Sequence, residues 1–225
     1  MKRKVVVEEF MEGTEVSVEA FMSAGKMYTI GLSDKIRTPP PYLLDTHVIF
    51  PAAWSAEDKQ KIIDVAEAAT HAVEITEGPV HMELMMTHQG PVPVELAARG
   101  PGFKVFTDVL PMITGIDLLK ALIDVSLGNS PDLTPRQQQM SAAIRFFSAQ
   151  DGRIKDITGI EEIKSTPGIF NIEMYVQKGD KVKSLTCGAD RIGHVIAIAP
   201  GREKAMQLIK AVDKKLEITF FKDDE

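Results

Sequence analysis

A single cysteine, Cys187, stands in a chain of 225 residues. That scarcity excludes an internal disulfide and every site built on paired thiols, and a reducing, cytoplasmic setting is the simplest expectation. Excess basic charge is also missing: 26 Lys and Arg face 32 Asp and Glu, a net charge of −6. No nucleic acid is expected as a partner, because phosphate backbones are gripped by clustered cations. No apolar run approaches the roughly 20 residues needed to span a bilayer, and Val5-Val6-Val7 behind Met1-Lys2-Arg3-Lys4 is too short for a signal peptide. No membrane association is expected either.

What is present is ordinary globular chemistry, 44% hydrophobic and 26% charged, which excludes disordered and fibrous classes. The length allows one large domain or two modest ones. Val5-Val6-Val7 reads as a buried strand, and Glu15 to Met22 alternates as a half-buried one, with Glu12-Gly13-Thr14 linking them. Pro39-Pro40-Pro41 opens a connecting segment that runs to Ser55, an N-cap with Asp58 three residues on. A helix follows to about Val73, with Ile62, Ala66, Ala69 and Val73 on one face. Gly78-Pro79 introduces a hairpin of Val80 to Met86 and Val92 to Ala98. A second helix has Thr114 as N-cap, Gly128 just past its end, and Leu118, Leu119, Leu122 and Ile123 as its apolar face.

Asn129 to Gln139 is polar and holds two prolines, so a boundary between units falls there, at about residue 134. Beyond it, Ala142–Ala149, Arg153–Ile157, Phe170–Gln177, Lys181–Leu185 and His194–Ile198 read as short strands. Asp151-Gly152 and Lys178-Gly179-Asp180 read as hairpin turns, followed by a helix over Arg202–Lys215 and a strand over Leu216–Phe220. Asp223-Asp224-Glu225 reads as a solvated tail. The overall class is α+β, an antiparallel sheet with helices over residues 1–134 and a β-rich unit over 135–225.

The hairpin carries the most chemistry. With a His88-Gln89-Gly90 loop, Thr87 pairs with Pro91 and Glu83 lies opposite Glu95. The even strand positions Val80, Met82, Leu84, Met86, Val92, Val94, Leu96 and Ala98 are apolar, whereas His81, Glu83, Glu95 and Arg99 share the other face. Two carboxylates facing each other across strands are destabilising without a cation, so Arg99, a divalent ion, or both are expected beside them. Hard oxygen ligands suit Mg²⁺ or Mn²⁺ held jointly with phosphates. A solvated face with a surface ion pair is the competing reading. Arg99-Gly100-Pro101-Gly102 supplies a guanidinium for phosphate and a backbone that can approach a ligand, or else a structural turn. His81 is open to two readings, metal ligand or satisfied structural histidine. Trp54 reads as a packing anchor, and the methionines on the hairpin as core filler.

Val6-Val7-Glu8-Glu9-Phe10-Met11-Glu12-Gly13-Thr14-Glu15-Val16-Ser17-Val18-Glu19 resembles the hinge of the ATP-grasp ligases, and His81-Met82-Glu83 with Glu95-Leu96-Ala97-Ala98-Arg99 resembles their metal-binding strands. The chain is similar to the later half of such enzymes, most of all bacterial amino-acid and dipeptide ligases, more distantly biotin carboxylase and the carbamoyl-phosphate synthase large subunit. The resemblance implies that Glu8, Glu9 and Met11 line the adenine site and that Glu15 takes the ribose hydroxyls. It implies Glu83 and Glu95 as ligands of Mg²⁺ on ATP, and Arg99 as the group that stabilises the transferring phosphoryl. Lys35 reaches a phosphate, or else is a surface lysine. Ala97 departs from the Asn that several relatives carry as a further metal ligand.

The function implied is ATP-dependent carboxylate–amine ligation through an acyl phosphate, with small-molecule carboxylate and amine substrates. The family's amino-terminal domain and small phosphate-covering lobe are expected to be absent here. Activity is then expected only with a polypeptide carrying that lobe, and self-association is the other expectation for the uncovered surface. The alternative is a non-catalytic nucleotide-binding or interaction module on the same fold. Arg191-Ile192-Gly193-His194 resembles a segment of the family's last domain and reads as structural, with substrate or interface contact as the lesser reading.

Overall fold

The computed structural model describes residues 5–136 and 140–221; the acidic tail foreseen at 223–225 and part of the foreseen boundary lie outside them. Eleven strands and five short-to-medium α-helices are formed by the described residues: β1 (Thr14–Ser23), β2 (Lys26–Arg37), β3 (Asp45–Phe50), α1 (Ala56–Ala72), β4 (Gly78–Thr87), β5 (Gly90–Ala97), α2 (Leu110–Thr114), α3 (Leu118–Ser126), β6 (Met140–Phe147), β7 (Gly152–Thr158), α4 (Ile160–Lys164), β8 (Ile169–Met174), β9 (Lys181–Val182), β10 (Gly193–Pro200), α5 (Arg202–Lys215) and β11 (Glu217–Phe220). Eight of the strands make one antiparallel sheet in the order β5-β4-β1-β2-β3-β6-β10-β8, and β11-β7-β9 make a small second sheet. Among the described residues no helix is long and apolar enough to cross a membrane.

Alternation along the strands sorts the side chains into two cores. Val16, Val18, Met22, Val80, Met82 and Leu84 face α1, where Ile62 and Ala66 meet them. Further along the same face, Ile49, Ala143, Val195 and Ala197 meet Ala205, Ile209 and Val212 of α5. The opposite face presents Phe21, Phe50, Ile144, Phe146 and Ile196 to the segment from Val105 through α2 and α3. Helices on both sides therefore leave the strand end around β4, β1 and β2 as the place where polar side chains can gather.

Both long helices start and stop where their residues direct. Ser55 caps α1 by accepting from the Asp58 amide, a contact worth about 1 kcal/mol, and α5 spans the expected Arg202–Lys215. The face of α1 is rotated slightly: Thr70 is buried and Val73 is exposed. Thr114 is not the cap of α3. It ends α2, and Asp117 caps α3 through the Lys120 amide at 2.9 Å. That shift turns Leu118 and Ala121 into the core and leaves Leu119 and Ile123 exposed.

Other expectations are corrected by pairing. Val5, Val6 and Val7 are 82%, 83% and 90% exposed and form no strand; apolar composition without a neighbouring strand among the described residues does not make one. The supposed connector from Pro39 to Ser55 contains β3, which joins β2 to β6. Asp151-Gly152 and Lys178-Gly179-Asp180 do not turn adjacent hairpins, because β6 and β8 both pair with β10 while β7 pairs with β9 and β11.

Candidate active site

The β4–β5 hairpin sets one line of the site. Its turn is tighter than expected, with Thr87 opposite Gly90 and Met86 opposite Pro91. A bulge between Glu83 and Leu84 absorbs the one-residue difference, so Glu83 faces Glu95 as foreseen. Ser17 on β1 pairs with Glu83 on one side and with Ser33 of β2 on the other. Glu95, Glu83, Ser17 and Ser33 thus lie side by side across four strands. The next row runs through Ala97, His81, Glu19 and Gly31.

Lys35 organises the charges along these rows. Its side chain is 4% exposed, so the surface-lysine reading fails; its ammonium donates to Glu15 Oε1 at 2.6 Å and to Glu83, with Asp45 Oδ2 at 3.5 Å. Burial works against that charge, and Asp45, Glu83 and Glu15 outweigh it to hold the Lys35 pKa above its usual range. Arg37 pairs with Glu15 and stands 3.8 Å from Asp45. Glu15 is only 6% exposed and its two oxygens are both engaged.

His81 bridges the two rows. Nδ1 lies 2.9 Å from Glu19 Oε2, and Nε2 lies 3.6 Å from Glu83. Burial pulls the imidazole down, but the bonds to Glu19 and Glu83 prevail and raise it to about 9. The histidine is therefore a satisfied cation in this arrangement. Glu83 is lowered to about 2, first by His81, with burial opposing and Lys35 assisting. Glu19 is raised, because its near-complete burial outweighs His81.

Glu95 and Arg99 sit at the rim. Their side chains are 61% and 54% exposed, with Arg99 Nη2 3.9 Å from Glu95. Beyond Arg99 the chain folds tightly over the sheet: a Cβ on Gly100 would stand 2.5 Å from the Phe106 ring, and Phe103 and Lys104 adopt φ of 58° and 59°. Non-glycine residues in that region are held there by their surroundings, often beside functional sites. Pro101, Gly102 and Phe103 roof a cavity of about 150 Å³ whose other walls include Ser17, Ser33, Lys35, Glu83 and Arg191. Glu8, Glu9 and Met11 lie apart from this cavity, along a groove with Thr87, His88, Gln89 and Val92; Glu8 and Glu9 are exposed and Met11 is half-buried.

The 1–108 segment matches a family model described as the ATP-grasp domain. The chain carries an ATP-grasp domain. Residues 145–220 match a second model, the L-amino acid ligase C-terminal domain 2. A Sinorhizobium fredii protein is 27% identical over 214 residues, covering 95% of this chain and 44% of its own length. The L-arginine-specific L-amino acid ligase of Bacillus subtilis is 28% identical over 122 residues, 54% of this chain and 30% of the relative. A crystal structure of an L-amino acid ligase from Bacillus licheniformis superposes with a TM-score of 0.84 at 20% identity, over 95% of this chain and 53% of that one. At that identity the superposition shows the fold, and the chain spans about half the length of these proteins or less.

Several residues of the site escaped the sequence reading: Ser17, Glu19, Ser33, Arg37 and Asp45; Arg191 was noticed there, but first as a structural residue. One signal was available for the first two. Glu15, Ser17 and Glu19 occupy alternate positions of a strand whose other face is Val16, Val18 and Ala20, which marks a polar face built on purpose. Arg191 lies 146 residues from Asp45, to whose carbonyl it donates at 2.8 Å, and no local pattern announces such a contact.

Proposed function

We propose that the chain forms the carboxyl-terminal part of an ATP-dependent carboxylate–amine ligase, acting through an acyl phosphate on a small-molecule acid and amine. The observation that carries this reading is the pairing of Glu83 with Glu95 directly across β4 and β5, with Arg99 beside Glu95. Two carboxylates without thiols form a donor set that fits Mg²⁺, or Mn²⁺ in its place, when phosphate oxygens and water complete the shell. The low pKa of Glu83 keeps it ionised for that role.

The residues would share the work as follows. Mg²⁺ on ATP would supply Lewis-acid neutralisation of the phosphate charge. Glu83 and Glu95 would hold it, and Arg99, exposed at the rim, would meet the charge that spreads over the phosphoryl oxygens. Lys35 would fix Glu83 and Glu15 from below. The groove beside Glu8, Glu9 and Met11 would take adenine, and Glu15 would reach the ribose hydroxyls only by giving up Lys35 or Arg37, which hold both of its oxygens. The division at about residue 134, a cytoplasmic setting, and a lobe supplied on the same or another polypeptide to close over the phosphates belong to the same reading.

A second reading has an observation of its own. Glu83 already has two cationic partners, Lys35 and His81, so its charge is balanced without a metal. A non-catalytic module that keeps the fold would look like this. The experiment that separates the two combines the chain with an amino-terminal ATP-grasp lobe and follows ADP release with amino-acid mixtures. ADP formation that disappears in Glu83→Gln and Glu95→Gln supports the ligase; its persistence in both variants removes the assignment.

A further inference from the structure

Among the described residues, four buried side-chain polar atoms have no hydrogen-bond partner: Ser17 Oγ, Ser33 Oγ, Trp54 Nε1 and Arg191 Nε. Three of the four belong to residues lining the single cavity beneath Pro101–Phe103. Buried polar atoms are nearly always paired, so a cluster of unpaired ones around a space marks a place where a guest supplies the partners. Ser17 and Ser33 are 1% and 0% exposed and stand opposite each other in the β1–β2 register.

Arg191 adds charge to this set. It comes from the segment leading into β10, its guanidinium lies 3.9 Å from the centroid of the Phe146 ring, and Nη2 is spent on the Asp45 carbonyl. Burial opposes the Arg191 charge, the Asp45 carboxylate offsets that in part, and Nε keeps no hydrogen-bond partner. Val48, Phe50, Phe103, Val105, Ile144 and Phe146 form the apolar part of the walls, and Glu19, Asp45, Lys35 and His81 add two acids and two cations along one side. At the other end stands Glu83, one strand from Ser17. The space therefore has an apolar middle, hydroxyls on its floor and a guanidinium with an unpaired Nε opposite the end at which phosphate would arrive.

We propose that this cavity seats the acid substrate, and that this substrate is a small dicarboxylate, or an amino acid with a side-chain carboxylate, whose non-reacting carboxylate is held by Arg191 and the hydroxyls of Ser17 and Ser33. Which carboxyl reacts rests on the ligase reading above; occupancy of the cavity does not. The fork of a guanidinium matches a carboxylate, and two hydroxyl donors complete its shell.

The test is calorimetry on the whole chain with succinate, glutarate, adipate and aspartate, and with butyrate as the monocarboxylate control, alongside a separate titration with Mg²⁺ and a non-hydrolysable ATP analogue. At least one dicarboxylate is expected to bind about tenfold or more tightly than butyrate, with a preferred length. Arg191→Gln should remove that preference, while Arg191→Lys retains part of it. Ser17→Ala and Ser33→Ala should weaken the dicarboxylate yet leave the melting temperature of the ligand-free protein unchanged or higher, because each deletes an unpaired hydroxyl. Dicarboxylates that bind no better than butyrate, or a preference undiminished in Arg191→Gln, would overturn the proposal, as would serine variants that melt lower without losing affinity. Loss of nucleotide binding alone, with the dicarboxylate preference intact, counts against the ligase reading and leaves this subsite standing.

Discussion

β1 and β10 are buried to nearly the same degree, and they spend that burial differently. β10 places Val195, Ile196, Ala197 and Ile198 on its two faces and admits one polar side chain, His194. Both ring nitrogens of His194 are occupied, by Tyr175 at 2.7 Å and Asn171 at 2.6 Å, and its pKa is lowered by burial. β1 instead buries Glu15, Ser17 and Glu19 on one face. Their partners are cations drawn from β2 and β4, and Ser17 has none. A strand that closes its polar accounts is architecture; one that leaves carboxylates dependent on distant cations, beside an unpaired hydroxyl, is built around something that binds.

The comparison sharpens if the cations are removed. Lys35→Met should cost about 3–5 kcal/mol in denaturant unfolding, because it strips Glu15 and Glu83 of a buried partner. An effect below about 1 kcal/mol would mean that Arg37 and His81 suffice for those carboxylates and that Lys35 does not organise the face. Glu83→Gln should cost at least about 100-fold in ATP-dependent turnover of the reconstituted ligase.

Acid–base behaviour should differ between the strands as well. His81 is raised from 6.5 to about 9 in the folded protein, so its contribution is fully present below pH 6.5 and is lost as pH climbs through 9. On the order of 2 kcal/mol should disappear over that window in the wild type, and the decline should be flatter in His81→Gln. Glu83 has the opposite sign: lowered from 4.5 to about 2, it stabilises above 4.5 and loses that effect toward 2. The smallest change is expected on β10, where His194→Phe removes two hydrogen bonds for about 1–3 kcal/mol and leaves Mg-nucleotide affinity untouched. A change in that affinity would place β10 in the site and erase the contrast.

How much of this was legible in the chain depends on range. α1 and α5 announce themselves through caps and period, which are local. Glu83 opposite Glu95 was legible because both lie on one hairpin, and a bulge next to Glu83 repaired a turn read one residue too long. Lys35 with Glu15, Arg37 and Asp45 was not legible, since it needs β1, β2 and β3 in register at once. β3 itself hid inside a proline-led segment, and Thr114 offered a plausible cap until Asp117 proved to be closer to the apolar turn. Val5 to Val7 show the converse, strand-like composition to which no neighbour responds.

Manganese can replace magnesium and be counted directly by electron paramagnetic resonance as it leaves solution. Titrated into the chain with a non-hydrolysable ATP analogue, Mn²⁺ should bind in a nucleotide-dependent manner, and Glu83→Gln together with Glu95→Gln should abolish that binding while circular dichroism shows the fold intact. Nucleotide-dependent manganese binding that survives in the double variant would contradict the central claim that these two facing carboxylates hold the metal.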